Sequence, residues 1–276
     1  VLGNDATPES LRELREYMGL DKPLPIQFAK YVGKLAQGDL GTSAFSKRTI
    51  WFEAKGRIQP TASLAIQTII LSSFLGISLG VISAWQAGRL LDQFLRLVSV
   101  IGFSVPGFYL AFLLIWGFSV NLGWFGVTGY TKIQDGFFEH FHSLALAVIV
   151  NGVLGATFIS RLTRSAMLEV LREDYVRTAR AKGVAEPGVY IRHAFRNASI
   201  PVVTVIGATI PALVTGFVVT ENIFAIPGLS KMLLSAITNR DYAVVQGMLL
   251  VVASGFVFMN LVVDVIYAYI DPRIRY

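Results

Sequence analysis

The chain has 276 residues, 54% of them apolar, with a mean hydropathy of +0.58 and only 15% charged residues, against roughly 25% in soluble domains. So little polar surface does not cover a soluble fold of this length, and the expected solvent is a lipid bilayer. The net charge of +6 does not point to nucleic acid, because the basic residues lie in short loops between apolar runs, and the lack of cysteine excludes disulfides, thiol catalysis and Cys-ligated metals.

The first stretch, 1–59, reads as a small head of short helices and turns. Thr7 is placed to cap a helix with Pro8 at its first position, and Leu11, Leu14 and Met18 share one face up to Gly19. Pro23 and Pro25 break the chain, a second short helix holds Phe28, Tyr31, Val32 and Leu35, and Gly38-Asp39-Leu40-Gly41 reads as a turn.

Five apolar runs come next, at about 60–85, 95–120, 143–159, 200–220 and 244–270. Each approaches the ~20 residues a bilayer core needs. They are long and do not alternate, so they are expected to be helices, which satisfy their own backbone in lipid. The third is short before Arg161, and Arg161 and Arg164 are expected to snorkel at its end. In the second, Pro106 with Gly102 and Gly107 predicts a kink. The segment 161–196 carries the strongest cluster of arginine and lysine and is expected in the cytoplasm. Alternation then puts the 89–96 loop and the Arg273, Arg275 tail inside, and the head and loops 121–142 and 221–242 outside. A head outside on a chain that begins at Val1 without a signal peptide implies a further membrane helix before it, six spans in all.

Few residues suggest catalysis. Gly33-Lys34 lacks the other parts of a phosphate loop, and neither His-Glu-x-x-His nor Gly-x-Ser-x-Gly occurs. Glu139, His140 and His142 read as a wet outer loop rather than a metal site, and His193 as an ordinary surface residue. No catalytic, cofactor-binding or metal-ligating residue is therefore assigned, and any driving energy must come from a partner or an ion gradient. Asn260 and Asp264 lie four apart on one face of the last span, where an acid either pairs structurally or couples an ion. The alternative to a partner-driven protein is thus a secondary transporter or channel that uses Asp264. Gln67, Asn121 and Asn151 read as interhelical or interfacial polar groups.

The loop at about 161–199 is the most informative. Leu168, Leu171, Tyr175 and Thr178 follow helical spacing, Gly183 ends the stretch, and Glu186-Pro187 starts another helix. The segments Asp174-Tyr175-Val176-Arg177-Thr178-Ala179-Arg180-Ala181-Lys182-Gly183 and Arg192-His193-Ala194-Phe195-Arg196-Asn197-Ala198-Ser199-Ile200-Pro201 resemble the ATPase-docking loop of ABC importer permeases, in the form of the dipeptide, oligopeptide, glutathione and nickel subfamily. Gly183 and Pro201 resemble the glycine and proline of the general loop signature, whose leading glutamate is absent. The likeness extends to the head (19–25 and 38–43), Ser104-Val105-Pro106-Gly107-Phe108, the stretch from Glu221 to Leu229 as an outer re-entrant element, Arg240-Asp241-Tyr242, Asn260 to Asp264, and the tail from Asp271 to Arg275.

The resemblance implies an all-α integral membrane protein with the type I ABC importer transmembrane fold, divided into an external, periplasmic head (1–59) and a transmembrane domain (60–276). It implies a permease subunit in a bacterial inner membrane, moving peptides by alternating access. Its implied partners are a homologous second permease, two ATPase subunits that hold ATP and Mg, and an extracytoplasmic solute-binding protein. The residues it implies for docking are Asp174, Tyr175, Arg177, Ala179, Arg180, Ala181, Lys182, Gly183, Arg196, Asn197 and Pro201. Pro106, Gly107, Asn260 and Asp264 are the candidates for the pathway.

Overall fold

A computed structural model describes residue 9 and residues 21–270, with side chains except at 211–216 and 266–270. The expected first helix of the head, Glu9 apart, and the 271–275 tail lie outside the described residues. Among those residues all regular structure is helical, apart from one isolated antiparallel bridge between Thr42 and Thr49.

The elements in chain order are α1 Leu24–Ala36, α2 Ile50–Trp85, α3 Leu90–Ser104, α4 Gly107–Leu114 with a π-helical continuation Ile115–Asn121, α5 Phe137–Val170, α6 Asp174–Ala181, a helical turn Glu186–Gly188 with a π-helical segment Val189–Phe195, α7 Arg196–Gly216, α8 Val218–Ile223, α9 Leu229–Thr238 and α10 Tyr242–Ile270. Helices α2, α5 and α10 are each long and apolar enough to cross a membrane, and α5 is the most enclosed of the three. Helix α7 has 21 residues, roughly 31 Å at 1.5 Å per residue, which matches a hydrocarbon core.

Three expectations change. The second run is not one kinked span but two helices bent by 101°. Pro106 offers no N–H and pushes the residue before it out of the helical region. Val105 (φ −81°, ψ 122°) and Pro106 (φ −60°, ψ 136°) are both extended, and the chain restarts with Tyr109 and Leu110 N–H donating to the Pro106 carbonyl. The third run does not stop at Arg161, because α5 continues through Val170. It also continues past Arg164, which is held by a partner rather than snorkelling. Finally, Leu168 and Tyr175 do not share one helix: the chain turns at Leu171–Glu173, where Glu173 (φ −66°, ψ 147°) is extended, before α6 begins.

Helix α2 packs along α5 through small residues in both directions. A Cβ on Gly76 would lie 2.6 Å from Ile159 Cβ, and one on Gly80 would lie 2.5 Å from Thr163 Cβ. Reciprocally, Cβ atoms on Gly152 and Gly155 would lie 2.7 Å from Leu71 Cδ2 and 2.9 Å from Ser72 Cβ. Such glycines let backbones approach where apolar side chains gain nothing by leaving lipid. Around this seam the core divides into a middle cluster with Leu64, Leu144, Val150, Phe217 and Ile226, one beside the head with Ile50, Met232, Val244 and Met248, and one beside the 174–195 segment with Met167, Ala194 and Val202.

Candidate coupling surface and the contacts behind it

Residues 174–201 form a helix–turn–helix. Helix α6 ends in a paired C-terminal closure: Gly183 N–H donates to the Arg180 carbonyl (2.9 Å) and Val184 N–H to the Ala179 carbonyl (3.2 Å). This closure needs a left-handed residue, and Gly183 supplies it at φ +79°. Beyond it, Glu186 and Pro187 open the next helical turn after an extended Ala185. The Glu186 carboxylate accepts from Arg180 Nε at 2.9 Å, closing the turn from outside. Val176, Ala179, Val189 and Ala194 are buried beneath it. Asn197 Nδ2 donates to the Tyr175 hydroxyl at 2.6 Å, tying α6 to the start of α7.

The residues that the resemblance names are therefore brought together, with different roles. Ala179 is internal. Asp174, Arg177, Ala181, Lys182, Gly183 and Arg196 are exposed, and Tyr175, Val184 and Ile191 add exposed apolar surface. Arg177 reaches only Asp174 (3.4 Å), a pair open to water on both sides. Arg180 is already engaged by Glu186. Pro201 lies six residues into α7, exposed, where its ring leaves the Asn197 carbonyl without a helical donor.

Two contacts connect this element to the spans. Trp85, the last residue of α2, stacks on Tyr190 with ring centroids 5.6 Å apart. Nearby, Asp92 in the first turn of α3 is fully buried and receives Arg164 of α5 through both oxygens, each at 2.8 Å. Ser83 Oγ donates to the same carboxylate at 2.6 Å and Gly88 N–H at 2.9 Å. Arg96 stands 3.7 Å away. Groups from α2, the α2–α3 turn, α3 and α5 thus meet on one carboxylate. Sequence reasoning missed Asp92, although a lone acid among the basic residues of a short loop was a signal for it.

At the other end, Glu221 is fully buried on α8. Thr61 Oγ donates to it at 2.6 Å and Lys231 N–H at 2.8 Å, while Thr61 Oγ accepts from Leu229 N–H at 2.9 Å. The carboxylate therefore sits at the N-terminus of α9, where the helix dipole favours an anion. A Cβ on Gly228 would fall on the Glu221 carboxylate group, so the glycine of this stretch is required by close approach. Ile226, also within it, is fully buried.

Asp241, just before α10, holds the head: Ser43 Oγ donates to it at 2.6 Å and Ala44 N–H at 3.1 Å. Ser43→Ala removes this bond to a carboxylate and the hydroxyl that accepts from Phe45 and Ser46 N–H, while the Ala44 and Val244 N–H donors stay in place, so the expected loss is about 2 kcal/mol. Faster limited proteolysis of residues 38–49, with unchanged membrane abundance, measures it.

The pathway candidates lie on different elements. Pro106 and Gly107 form the break between α3 and α4, where a Cβ on Gly107 would meet Leu154 at 3.0 Å. Asn260 donates to its own helix at the Phe256 carbonyl, and Asp264 is exposed on α10 with no ion pair among the described residues. Asn151 does bridge helices, exchanging hydrogen bonds with Thr220. Glu139, His140 and His142 lie in the first two turns of α5 rather than in a wet loop, with His140 buried on the Thr131 carbonyl and His142 on the Trp124 carbonyl; among the described residues no cluster with metal-ligand geometry forms.

Long apolar helices, a glycine-lined seam and an exposed helix–turn–helix at one end define a polytopic membrane protein. The fold is similar to a chain of the MetNI methionine ABC transporter in an inward-facing form (TM-score 0.64, 17% identity, 80% of this chain and 97% of that one). It is also similar to a chain of an amino acid ABC transporter with histidines (TM-score 0.58, 10% identity, 80% and 94%). Residues 76–276 match the family described as binding-protein-dependent transport system inner membrane component, and the chain belongs to that family.

Among curated relatives, it is 40% identical over 276 residues to the probable peptide ABC transporter permease protein y4tP of Sinorhizobium fredii, covering all of this chain and 88% of that one. It is 42% identical to the di/tripeptide transport system permease protein DppB of Pseudomonas aeruginosa (98% and 86%) and 40% identical to the glutathione transport system permease protein GsiC of Salmonella paratyphi A (100% and 88%). The chain is an ABC importer permease subunit.

Proposed function

We propose that this permease forms half of the translocation pathway of an ATP-driven importer for peptides in a bacterial inner membrane, and that residues 174–201 dock an ATPase subunit. The observation that carries the docking assignment is a closed helix–turn–helix whose outer face is basic and apolar, and whose inner face is buried and stacked through Tyr190 on the end of a span. A rigid element of this kind is one that both the spans and a soluble partner can bias. The ATPase subunits hold ATP and Mg, a homologous permease supplies the other half of the pathway, and an external binding protein delivers solute. Peptide cargo is supported by the relatives, which are named for peptides, dipeptides and glutathione.

Gly183→Val is the test. A Cβ at Gly183 meets nothing within 4 Å, so the main effect is the backbone cost of a side chain at φ +79°, about 1–2 kcal/mol, taken at the docking turn rather than in the core. The variant is expected to reach the membrane normally while co-purifying less ATPase or hydrolysing ATP without solute uptake. Arg180→Ala breaks an exposed pair worth ~0–1 kcal/mol and is expected to be milder. Normal assembly, hydrolysis and uptake in Gly183→Val overturns the docking assignment. Ion-driven uptake by this chain alone, abolished by Asp264→Asn, would replace the reading with a secondary transporter.

A further inference from the structure

Helix α1, Leu24–Ala36, has no buried residue. It carries Lys30 and Lys34 and no acid, and Lys22 lies just before it. At 100° per residue, Lys30, Lys34, Gln27 and Gln37 fall within one narrow arc, and most of the remaining circumference is apolar. On that apolar side Leu24 (78%), Phe28 (69%) and Val32 (44%) are exposed.

The segment after α1 fixes its position. Four residues past its end, the Leu40 carbonyl lies 3.1 Å from where a Gly247 Cβ would stand, and Gly247 is the sixth residue of α10. Four residues of chain reach at most roughly 14 Å. The C-terminus of α1 is thus tied near the end of a span. The same level carries exposed Trp51 and Phe52, with Arg48 over the Phe52 ring at 5.7 Å, the composition of an interfacial belt.

We propose that α1 is an interfacial helix lying in the outer leaflet, with Leu24, Phe28 and Val32 among the acyl chains and Lys22, Lys30 and Lys34 on lipid phosphates. A basic helix with a broad apolar side, held at the height of the headgroups, is complementary to that surface in both charge and polarity. The proposal rests on the head lying outside.

The chain has no cysteine, so single cysteines report unambiguously. Full-length protein with Phe28→Cys, Val32→Cys, Lys30→Cys or Lys34→Cys is spin-labelled in nanodiscs containing phosphatidylglycerol. Collisions with oxygen, which partitions into lipid, are compared with those of a water-soluble nickel chelate. Labels at 28 and 32 are expected to favour oxygen and labels at 30 and 34 nickel. Reversing Lys30 and Lys34 to Glu is expected to move the label at 28 toward nickel. Labels at 28 and 32 shielded from both reagents mean that protein covers α1, and labels equally open to nickel mean that water does; either result overturns the proposal. A separate Gln37→Cys variant, treated in intact cells with an impermeant thiol reagent, tests the orientation: failure to label until the cells are opened places the head inside, whatever the depth measurements give.

Discussion

Asp92→Ala is expected to lower the stability of the detergent-solubilised protein by about 3 kcal/mol, because removing one partner of a buried pair leaves the other charge without compensation. The magnitude is taken from the lower end of the usual range because Arg164 keeps 23% of its side chain exposed, whereas Asp92 keeps none. Arg164→Ala is expected to cost as much or more, since it strands the fully enclosed carboxylate. The double variant should be less damaged than the sum of the two, and thermal unfolding across the four proteins yields the coupling. Arg164→Lys separates charge from shape: one ammonium cannot reproduce the two parallel 2.8 Å hydrogen bonds, so an intermediate loss is expected. Additive single and double variants would mean that Asp92 and Arg164 act independently.

Gly228→Ala is expected to be as severe despite adding a single methyl group. The new carbon would occupy the space of the Glu221 carboxylate, which would have to withdraw from Thr61 and from the first turn of α9. The loss of buried hydrogen bonds to a charged group, with their donors left unsatisfied, costs on the order of 3 kcal/mol. Because the methyl acts through Glu221, adding it to Glu221→Ala should cost little more than Glu221→Ala alone. Membrane abundance and unfolding temperature of the two single variants and the double variant measure this. Full additivity would place the glycine's importance in something other than the carboxylate.

Helical class and most of the spans were readable because bilayer burial imposes length and apolarity on local sequence. The closure of α6 at Gly183 and the restart at Glu186-Pro187 were also readable, since both depend on the backbone preferences of single residues. The polar anchors were not. Ser43 meets Asp241 198 positions later, Thr61 meets Glu221 160 positions later and Asp92 meets Arg164 72 positions later, and a pattern of hydropathy contains nothing about who pairs with whom. Arg161 and Arg164 looked like the end of a span for the same reason: an arginine signals the limit of lipid, but not that a buried acid lets the helix run on. Pro106 announced a kink, but the 101° angle between α3 and α4, with Val105 and Pro106 both extended, is set by three-dimensional placement that the proline alone does not encode.

The interlock of α2 with α5 has a mechanical consequence. Side chains from each helix enter glycine gaps in the other, so the pair has one register. Advancing α5 by a turn would set Thr163 against Ala84 and Leu71 against Val148; retreating by a turn would set Ile159 against Ser72 and Leu71 against Ala156. Each one-turn slide returns one side chain to a gap, Ile159 to Gly80 or Thr163 to Gly76, but takes Leu71 off Gly152, so the present register is the one that fills all four gaps. Filling all four gaps at once favours the two helices moving together rather than past one another. Bending is left to the places where the backbone has already abandoned helical geometry, at Val105-Pro106 and at Phe217 between α7 and α8. Under the docking proposed above, a displacement at Tyr190 reaches α2 through Trp85 and is shared with α5 across the interlocked seam.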